Sequence, residues 1–312
     1  MIDLFNFTDI TANHQIFYTN GSGDAWQTWQ KPKNVGWVYI TCIGGGGGGG
    51  SSPNSSGNQA GGGGGASSSL TKILIPSNLL PDLLYIQVGP GGAGGTASSE
   101  NSVDGSLSYV SILPSKTATD VVIASGTAAA GRGLRGTSTV GSGQGGAGGT
   151  AFTSAVGILS ELGIWQSIAG RGGSDGGYTT FGQSVLGISG GIILTGGAGG
   201  GGLATGGIDY QGGSISTVGL VPSLTGGAAG GGAGRSGYAT VIPNRLLYSS
   251  TKNPMIFTGG SGGGGNATIS GGGGNGGNGQ IGCGGGGSGA IDGGTGRVGG
   301  RGGNGLVLIT TF

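Results

Sequence analysis

Stretches of glycine, unbroken or interrupted by single small residues, recur along this chain and restrict what it can fold into. Clear examples are 44–50, 61–65, 141–149 and 259–265, and glycine makes up 88 of the 312 residues. A glycine run has no side chains with which to build an apolar core, and ordering its backbone costs more entropy than ordering any other residue. Such runs become ordered only if their N–H and C=O groups bond to neighbouring segments.

Two other glycine-rich classes fit the sequence poorly. Collagen requires glycine at every third position together with abundant proline, whereas glycines here are consecutive and there are only 9 prolines. Disordered chains combine high charge with few apolar residues, but 7% of this chain is charged and 34% is hydrophobic. The composition therefore predicts an ordered glycine fold.

The polyglycine II conformation satisfies these constraints. It repeats every three residues, rises about 3.1 Å per residue and directs its N–H and C=O groups outward to neighbours. At that rise, run 141–149 would span about 28 Å. Segments 35–43 and 305–312 are rich in β-branched and apolar residues, which favours strands. We predict a mainly non-helical fold, a polyglycine II bundle or sandwich with β-strands at 35–43 and 305–312.

Apolar or Ser/Thr-rich inserts separate the glycine runs, and we expect them to cap the bundle. The spacing of Ile158, Leu162 and Trp165 predicts a helix within the insert 154–168, although Gly157 and Gly163 weaken it. Residues 1–25 differ in composition and are predicted to be an N-terminal attachment segment, followed by a glycine-rich domain over 26–312. The inserts are 70–88, 103–123, 151–168, 208–224 and 238–257.

Charge and hydropathy argue against several partners. The formal net charge is +1, so no strong field is available to attract nucleic acid or acidic lipid. No apolar stretch approaches the roughly 20 residues that a membrane helix needs, and the first residues lack the pattern of a signal peptide. We expect a protein made in the cytoplasm, with no nucleic-acid partner and no membrane insertion.

The sequence predicts neither catalytic nor metal-binding residues, and no cofactor. Catalysis by a histidine pair or triad would depend on His14, the one histidine, and the carboxylates mostly stand alone. Gly131–Gly136 fits GxGxxG, but the following Thr-Ser-Thr-Val-Gly cannot form the helix that a phosphate-binding loop requires. The two cysteines, Cys42 and Cys283, are either small buried hydrophobes or a disulfide.

Aromatic and charged residues beside the glycine runs are the candidates for binding. Such side chains on exposed loops favour contacts with sugars or protein surfaces. They could equally cap the ends of the bundle and exclude water. The candidates are Trp165, Arg171, Asp175, Tyr178, Phe181, Tyr210, Tyr238 and Tyr248.

Both ends of the glycine-rich region resemble a glycine-rich domain common in bacteriophage virion proteins. Trp29-Gln-Lys-Pro32, followed by strand 37–43 and run 44–50, resembles its start, and 299–309 is similar to its closing strand. The glycine runs also resemble the polyglycine II sandwich of the tip adhesin of T-even-like phage long tail fibres, in which loops between glycine helices contact the host receptor. The long inserts 66–90 and 101–130 depart from that adhesin.

The resemblance implies a non-enzymatic virion protein, either a tail-fibre or tail-tip adhesin or a structural capsid, head-fibre or tail component. Its partners would be other virion proteins, a host receptor or glycan, and possible further copies of itself. Attachment is expected through Phe5, Phe7, Phe17 and Tyr18. A soluble enzyme and an ice-binding protein are the remaining alternatives; the first needs converging carboxylates and the second needs flat faces without bulky inserts.

Overall fold

β-strands and glycine runs account for nearly all of the regular structure. A computed structural model of the chain describes residues 13–20, 25–52, 56–96, 102–141, 143–153, 164–186, 194–216, 223–237, 257–268, 272–293 and 296–312. Within them, helical structure is limited to the 3-10 helix η1, Ser77–Leu79. The prediction of a mainly non-helical chain is confirmed.

The strands occupy both termini of the described chain and several inserts. They are β1 Asn13–Phe17, β2 Gln27–Gln30, β3 Trp37–Ile43, β4 Leu70–Pro76, β5 Leu83–Gln87, β6 Tyr109–Ser111, β7 Val121–Ala124, β8 Ile164–Ile168, β9 Val185–Leu186, β10 Leu203–Ala204, β11 Ile208–Asp209, β12 Ile215–Ser216 and β13 Leu306–Thr311. The two strands predicted at 35–43 and 305–312 are therefore present, as β3 and β13.

Two antiparallel sheets face each other and enclose the main apolar core. One has the strand order β1-β13-β3-β4-β8 and the other β2-β5-β6-β7. Because side chains alternate between the faces of a strand, Val38, Ile40 and Cys42 of β3 point to one side and meet Leu84 and Ile86 of β5 in one buried cluster. Burial of this kind contributes about 25 cal/mol per Å² of apolar surface.

The strands continue directly into glycine runs, which places both sheets at one end of a bundle. β3 leads into run 44–52, and run 59–69 leads back into β4. In the same way β5, β7 and β8 each precede a run, whereas β6 and β13 each follow one. We call this end of the bundle the sheet end, and the opposite end, where runs such as 44–52 stop, the turn end.

Backbone hydrogen bonds in the runs repeat every three residues. Gly45 and Gly48 donate to carbonyls of run 102–108, and the same neighbour recurs at each third position. The N–H groups of the intervening residues point to other neighbouring runs, so one run is hydrogen-bonded on several sides. From run 44–52, Gly46 and Gly49 donate to Gly303 and Gly300, and Gly47 and Gly50 donate to Ala66 and Gly63, over 2.7–2.9 Å.

A set of interior runs is surrounded entirely by other runs. Each is bonded to six neighbours, some through its N–H groups and others through its C=O groups. Their described residues are buried throughout, so the inner part of the bundle is filled by main chain. These interior runs are 44–52, 59–69, 194–203, 257–266 and 282–291.

Apolar side chains close the sheet end. Phe257 and Leu194 stand at the starts of two interior runs and pack with Ile43, Leu70 and Leu306 of the five-stranded sheet. Phe257 is fully buried. The runs and the sheets therefore share a second apolar cluster, which fixes where each run begins relative to the strands.

The helix predicted within 154–168 is wrong over its described part. Residues 164–168 form β8, which pairs antiparallel with β4, and residues 154–163 lie outside the described residues. Trp165 and the two flanking isoleucines of this segment suit a strand, and the backbone bonds to β4 outweigh a weak helical period. In segment 1–25, β1 pairs with β13, so its described part is continuous with the five-stranded sheet.

Interior glycines should tolerate no side chain. A Cβ placed on Gly287 would lie 1.8 Å from the carbonyl oxygen of Gly62, whereas one on Gly172, in an outer run, would meet only the Gly146 carbonyl oxygen, at 3.2 Å. We expect Gly287→Ala to lower the free energy of unfolding by about 3 kcal/mol or more.

The matched control is Gly172→Ala, for which we expect a change below about 1 kcal/mol. Urea denaturation followed by circular dichroism measures both variants. Equal effects would contradict main-chain packing as the reason for glycine in the interior runs.

Candidate functional site

The turn end carries a short hairpin that projects beyond the interior runs. β10 and β11 pair antiparallel, and Gly206 and Gly207 between them have φ angles of +96° and +84°. Side chains with a Cβ rarely adopt these angles, so the turn depends on glycine. Asn58 accepts the backbone N–H of Thr205 through Oδ1, which ties the hairpin to the start of run 59–69.

Two of the predicted binding residues meet beside this hairpin. Phe181 and Tyr210 contact each other edge to face, with ring centroids 5.6 Å apart and an interplanar angle of 84°. Phe181 is 65% exposed, and Tyr210 is half-buried. Residues 180–184 and 210–214 form adjacent outer runs, because Gly182 donates its N–H to the Gln211 carbonyl.

The other predicted binding residues are spread over the bundle. Tyr178 lies at the turn end, where it forms a β-bridge with Ala60. Arg171 and Asp175 lie along outer run 170–177, with Arg171 toward the sheet end and both side chains exposed. Trp165 lies in β8 at the sheet end and packs edge to face on Phe152 at 5.9 Å. The structure thus brings Tyr178, Phe181 and Tyr210 to one end and places Trp165 at the other.

The predicted attachment residues divide in a similar way. Phe17 is buried in the core between the sheets, whereas Tyr18 is 47% exposed at the sheet end. Phe5 and Phe7, and the binding candidates Tyr238 and Tyr248, lie outside the described residues. Tyr18 is thus the one described member of the attachment set with a large exposed surface.

Side chains on the outer runs bond the main chain of the next run. Outer runs face solvent at about every third residue. At several of those positions the side-chain oxygen of an Asn or Asp accepts a backbone N–H from the adjacent run. Asn278 Oδ1 accepts the N–H of Arg301 at 2.8 Å, and Asn275 Oδ1 accepts that of Val298 at 3.2 Å. On other runs Asp104 and Asp175 accept the N–H groups of Arg132 and Gly145.

These contacts should make a small, additive contribution to stability. Asn278→Ala removes the acceptor at an exposed site where water can replace it, so we expect a loss of about 0.5–1 kcal/mol in the free energy of unfolding. Asn278→Asp keeps the oxygen and should stay within about 0.5 kcal/mol of the parent. Denaturant titration compares the two, and a larger loss for the aspartate variant would argue against the hydrogen bond.

The residues that could suggest catalysis or phosphate binding make contacts within the fold in the described part of the chain. The N–H groups of Gly131, Gly133 and Gly136 donate to carbonyls of neighbouring runs, so the GxGxxG segment has no free nest of donors for a phosphate. His14 Nδ1 lies 3.0 Å from Thr310 Oγ1, and burial lowers its pKa. In the described part of the chain, no three His, Cys, Asp or Glu side chains group as metal ligands.

The two cysteines are free thiols. Cys42 faces the core between the sheets, and Cys283 belongs to the cluster on the other side of the five-stranded sheet. The disulfide alternative is therefore wrong. Burial raises the pKa of the Cys283 thiol to about 12 and also raises the pKa of Cys42.

Both thiols should resist alkylation in the native protein. The thiolate is the reactive form, and each side chain is fully buried as well as hard to ionise. We expect iodoacetamide at pH 8 to leave the native chain unlabelled and to modify both cysteines in denaturant, as read by intact mass. Native labelling at the rate of a free thiol would contradict the burial of these residues.

Sequence reasoning missed the polar neighbours of the aromatic pair. Ser184 lies one three-residue repeat after Phe181, and its Oγ accepts the N–H of Ser214 from the adjacent run at 3.0 Å. Gln183 is exposed between them. The spacing of 181 and 184 was a usable signal, since residues three apart in a run face the same neighbour.

Comparison with known proteins agrees with the glycine-rich character. The model of a family described as the glycine-rich domain matches residues 19–283, which include most of the runs and strands β2 to β12. The chain belongs to this glycine-rich domain family. No curated protein matches it. Among the described residues, no helix has the length and apolarity needed to cross a bilayer.

Proposed function

We propose that this chain is a non-enzymatic bacteriophage virion protein, a tail-fibre or tail-tip adhesin that contacts the host surface through its turn end. The observation that carries the proposal is that the two ends of the bundle differ in what they present. β1 and β13 lie together at the sheet end, whereas several connections between runs, including those with exposed Val140 and Ile208, lie at the opposite end. An adhesin needs this separation of attachment from contact.

We propose further that the glycine-rich runs are polyglycine II helices packed as a sandwich. The three-residue repeat of the hydrogen bonds and the six neighbours of each interior run support this assignment. The conformation has three residues per turn and no internal hydrogen bonds. A stiff bundle of this kind would hold the connecting turns at fixed positions, which favours recognition because little entropy is lost on binding.

The sheet end supplies a surface for the other partners. Trp37, Leu79, Leu83 and Leu113 are exposed there, and a virion protein bound at this end would remove their apolar surface from water. In the proposed assembly this end, with the N-terminal segment, binds another virion protein and the turn end stays free. The capsid or head-fibre alternative would bury both ends in the particle.

Purified protein added before infection should block adsorption of the phage that carries it, by about tenfold at saturation. Val140→Arg and Ile208→Arg, at the turn end, should relieve the block, because they place charge in an apolar contact. Leu113→Arg is the matched control at the sheet end and should block as well as the parent. Adsorption is scored by counting unadsorbed phage.

Labelled antibody on purified virions locates the protein independently. A tail position together with blocking supports the adhesin. A capsid position without blocking would replace it with the structural alternative.

A further inference from the structure

Phe181, Ser184 and Tyr210 form one surface near the turn end, which we call the aromatic ledge. Phe181 and Ser184 are three residues apart and both meet run 210–214, through the Tyr210 ring and the Ser214 N–H respectively. The two rings therefore stand next to a hydroxyl on the same seam between two runs.

The ring geometry leaves an aromatic face open. In an edge-to-face pair the edge of one ring covers only part of its partner, and Phe181 is 65% exposed. An exposed aromatic face carries a negative potential that attracts C–H groups with partial positive charge. The apolar side of a pyranose ring presents such C–H groups in a row.

Polar groups beside the rings can bond hydroxyls. The Ser184 oxygen accepts the N–H of Ser214, which leaves its O–H hydrogen to donate to a ligand. The hydroxyl that Tyr210 carries on its ring can both donate and accept. An apolar platform with a few placed donors and acceptors is the usual chemistry of a small-ligand site.

The ledge itself carries no charge, and the carboxylates on the flanking segments point away from it. Asp175 accepts the N–H of Gly145, on the side of its run opposite to 180–184. Asp209 accepts the N–H of Ala267, from the end of run 257–266. These two carboxylates are thus bonded to main chain away from the ledge, and Arg171 lies toward the sheet end of its run.

We propose that the aromatic ledge binds a neutral saccharide, whose pyranose face packs on Phe181 and Tyr210 while the side-chain hydroxyls of Ser184 and Tyr210 bond its hydroxyls. This inference rests on the proposed adhesin function and gives its ligand a chemical class. Rigid rings lose little entropy on binding, so even one or two sugar units would be held at a defined angle on the bundle.

The test uses the purified full chain with neutral probes, maltoheptaose and chitotetraose, and an anionic probe, a heparin tetrasaccharide. Saturation-transfer NMR should show contact with at least one neutral probe and none with heparin. Phe181→Ala and Tyr210→Ala should each weaken the binding at least fivefold, and Ser184→Ala by a smaller factor. Tyr85→Ala, a tyrosine of β5 at the sheet end that is half-buried as Tyr210 is, is the matched control and should bind as the parent does.

Unchanged thermal melting confirms that the variants fold. Binding to heparin alone, to none of the probes, or equally well by Phe181→Ala would overturn the saccharide proposal. If the parent protein still blocks adsorption in that case, the adhesin function stands and the contact is with a protein surface. If a neutral probe binds through the ledge and adsorption is not blocked, the saccharide site stands and the adhesin function fails.

Discussion

The hydrogen bond between the N–H of one glycine run and the C=O of another is the interaction on which this structure depends. Each such bond contributes about 1 kcal/mol net, which is close to the cost of ordering one residue. A single run bonded on one side would therefore not be stable. The interior runs are bonded to six neighbours, and only the absence of side chains allows carbonyl oxygens to come as close as they do at Gly287.

Main-chain hydrogen bonds alone do not fix the register of one glycine run against another. The apolar residues at the sheet end fix that register. A glycine run could slide by three residues against its neighbour and make equivalent bonds. The strands prevent this, since a shift would take residues such as Phe257 and Leu306 out of their buried cluster. The outer runs gain a weaker constraint from side chains such as Asn278, which bonds one N–H of the next run. Cohesion and alignment thus come from different parts of the chain.

The sequence predicted the elements better than their arrangement. β3 and β13 could be recognised because valine, isoleucine and aromatic residues are concentrated in them, and the runs because glycine is. Residues 164–168 were assigned to a helix, since the partner strand β4 that selects the extended form is almost a hundred positions earlier in the chain.

The meeting of Phe181 with Tyr210 could not have been predicted. Which runs are adjacent is decided by strand pairing and by the inserts, and glycine residues carry no signal for it. Trp165 and Tyr210 are alike in sequence context, because each is an aromatic residue a few positions before a glycine run. One is part of a sheet and the other lies near the turn end.

The position of β13 has a consequence for how the chain reaches its native state. The last strand lies between β1 and β3, and run 44–52 bonds to Gly300 and Gly303. During synthesis the early segments therefore lack partners that are made only after residue 296. Contacts so distant in sequence slow folding, so the early segments should become ordered only after residues 296–311 have been made. A product that stopped before residue 296 would present a column of unsatisfied amides and carbonyls to its neighbours in the cell.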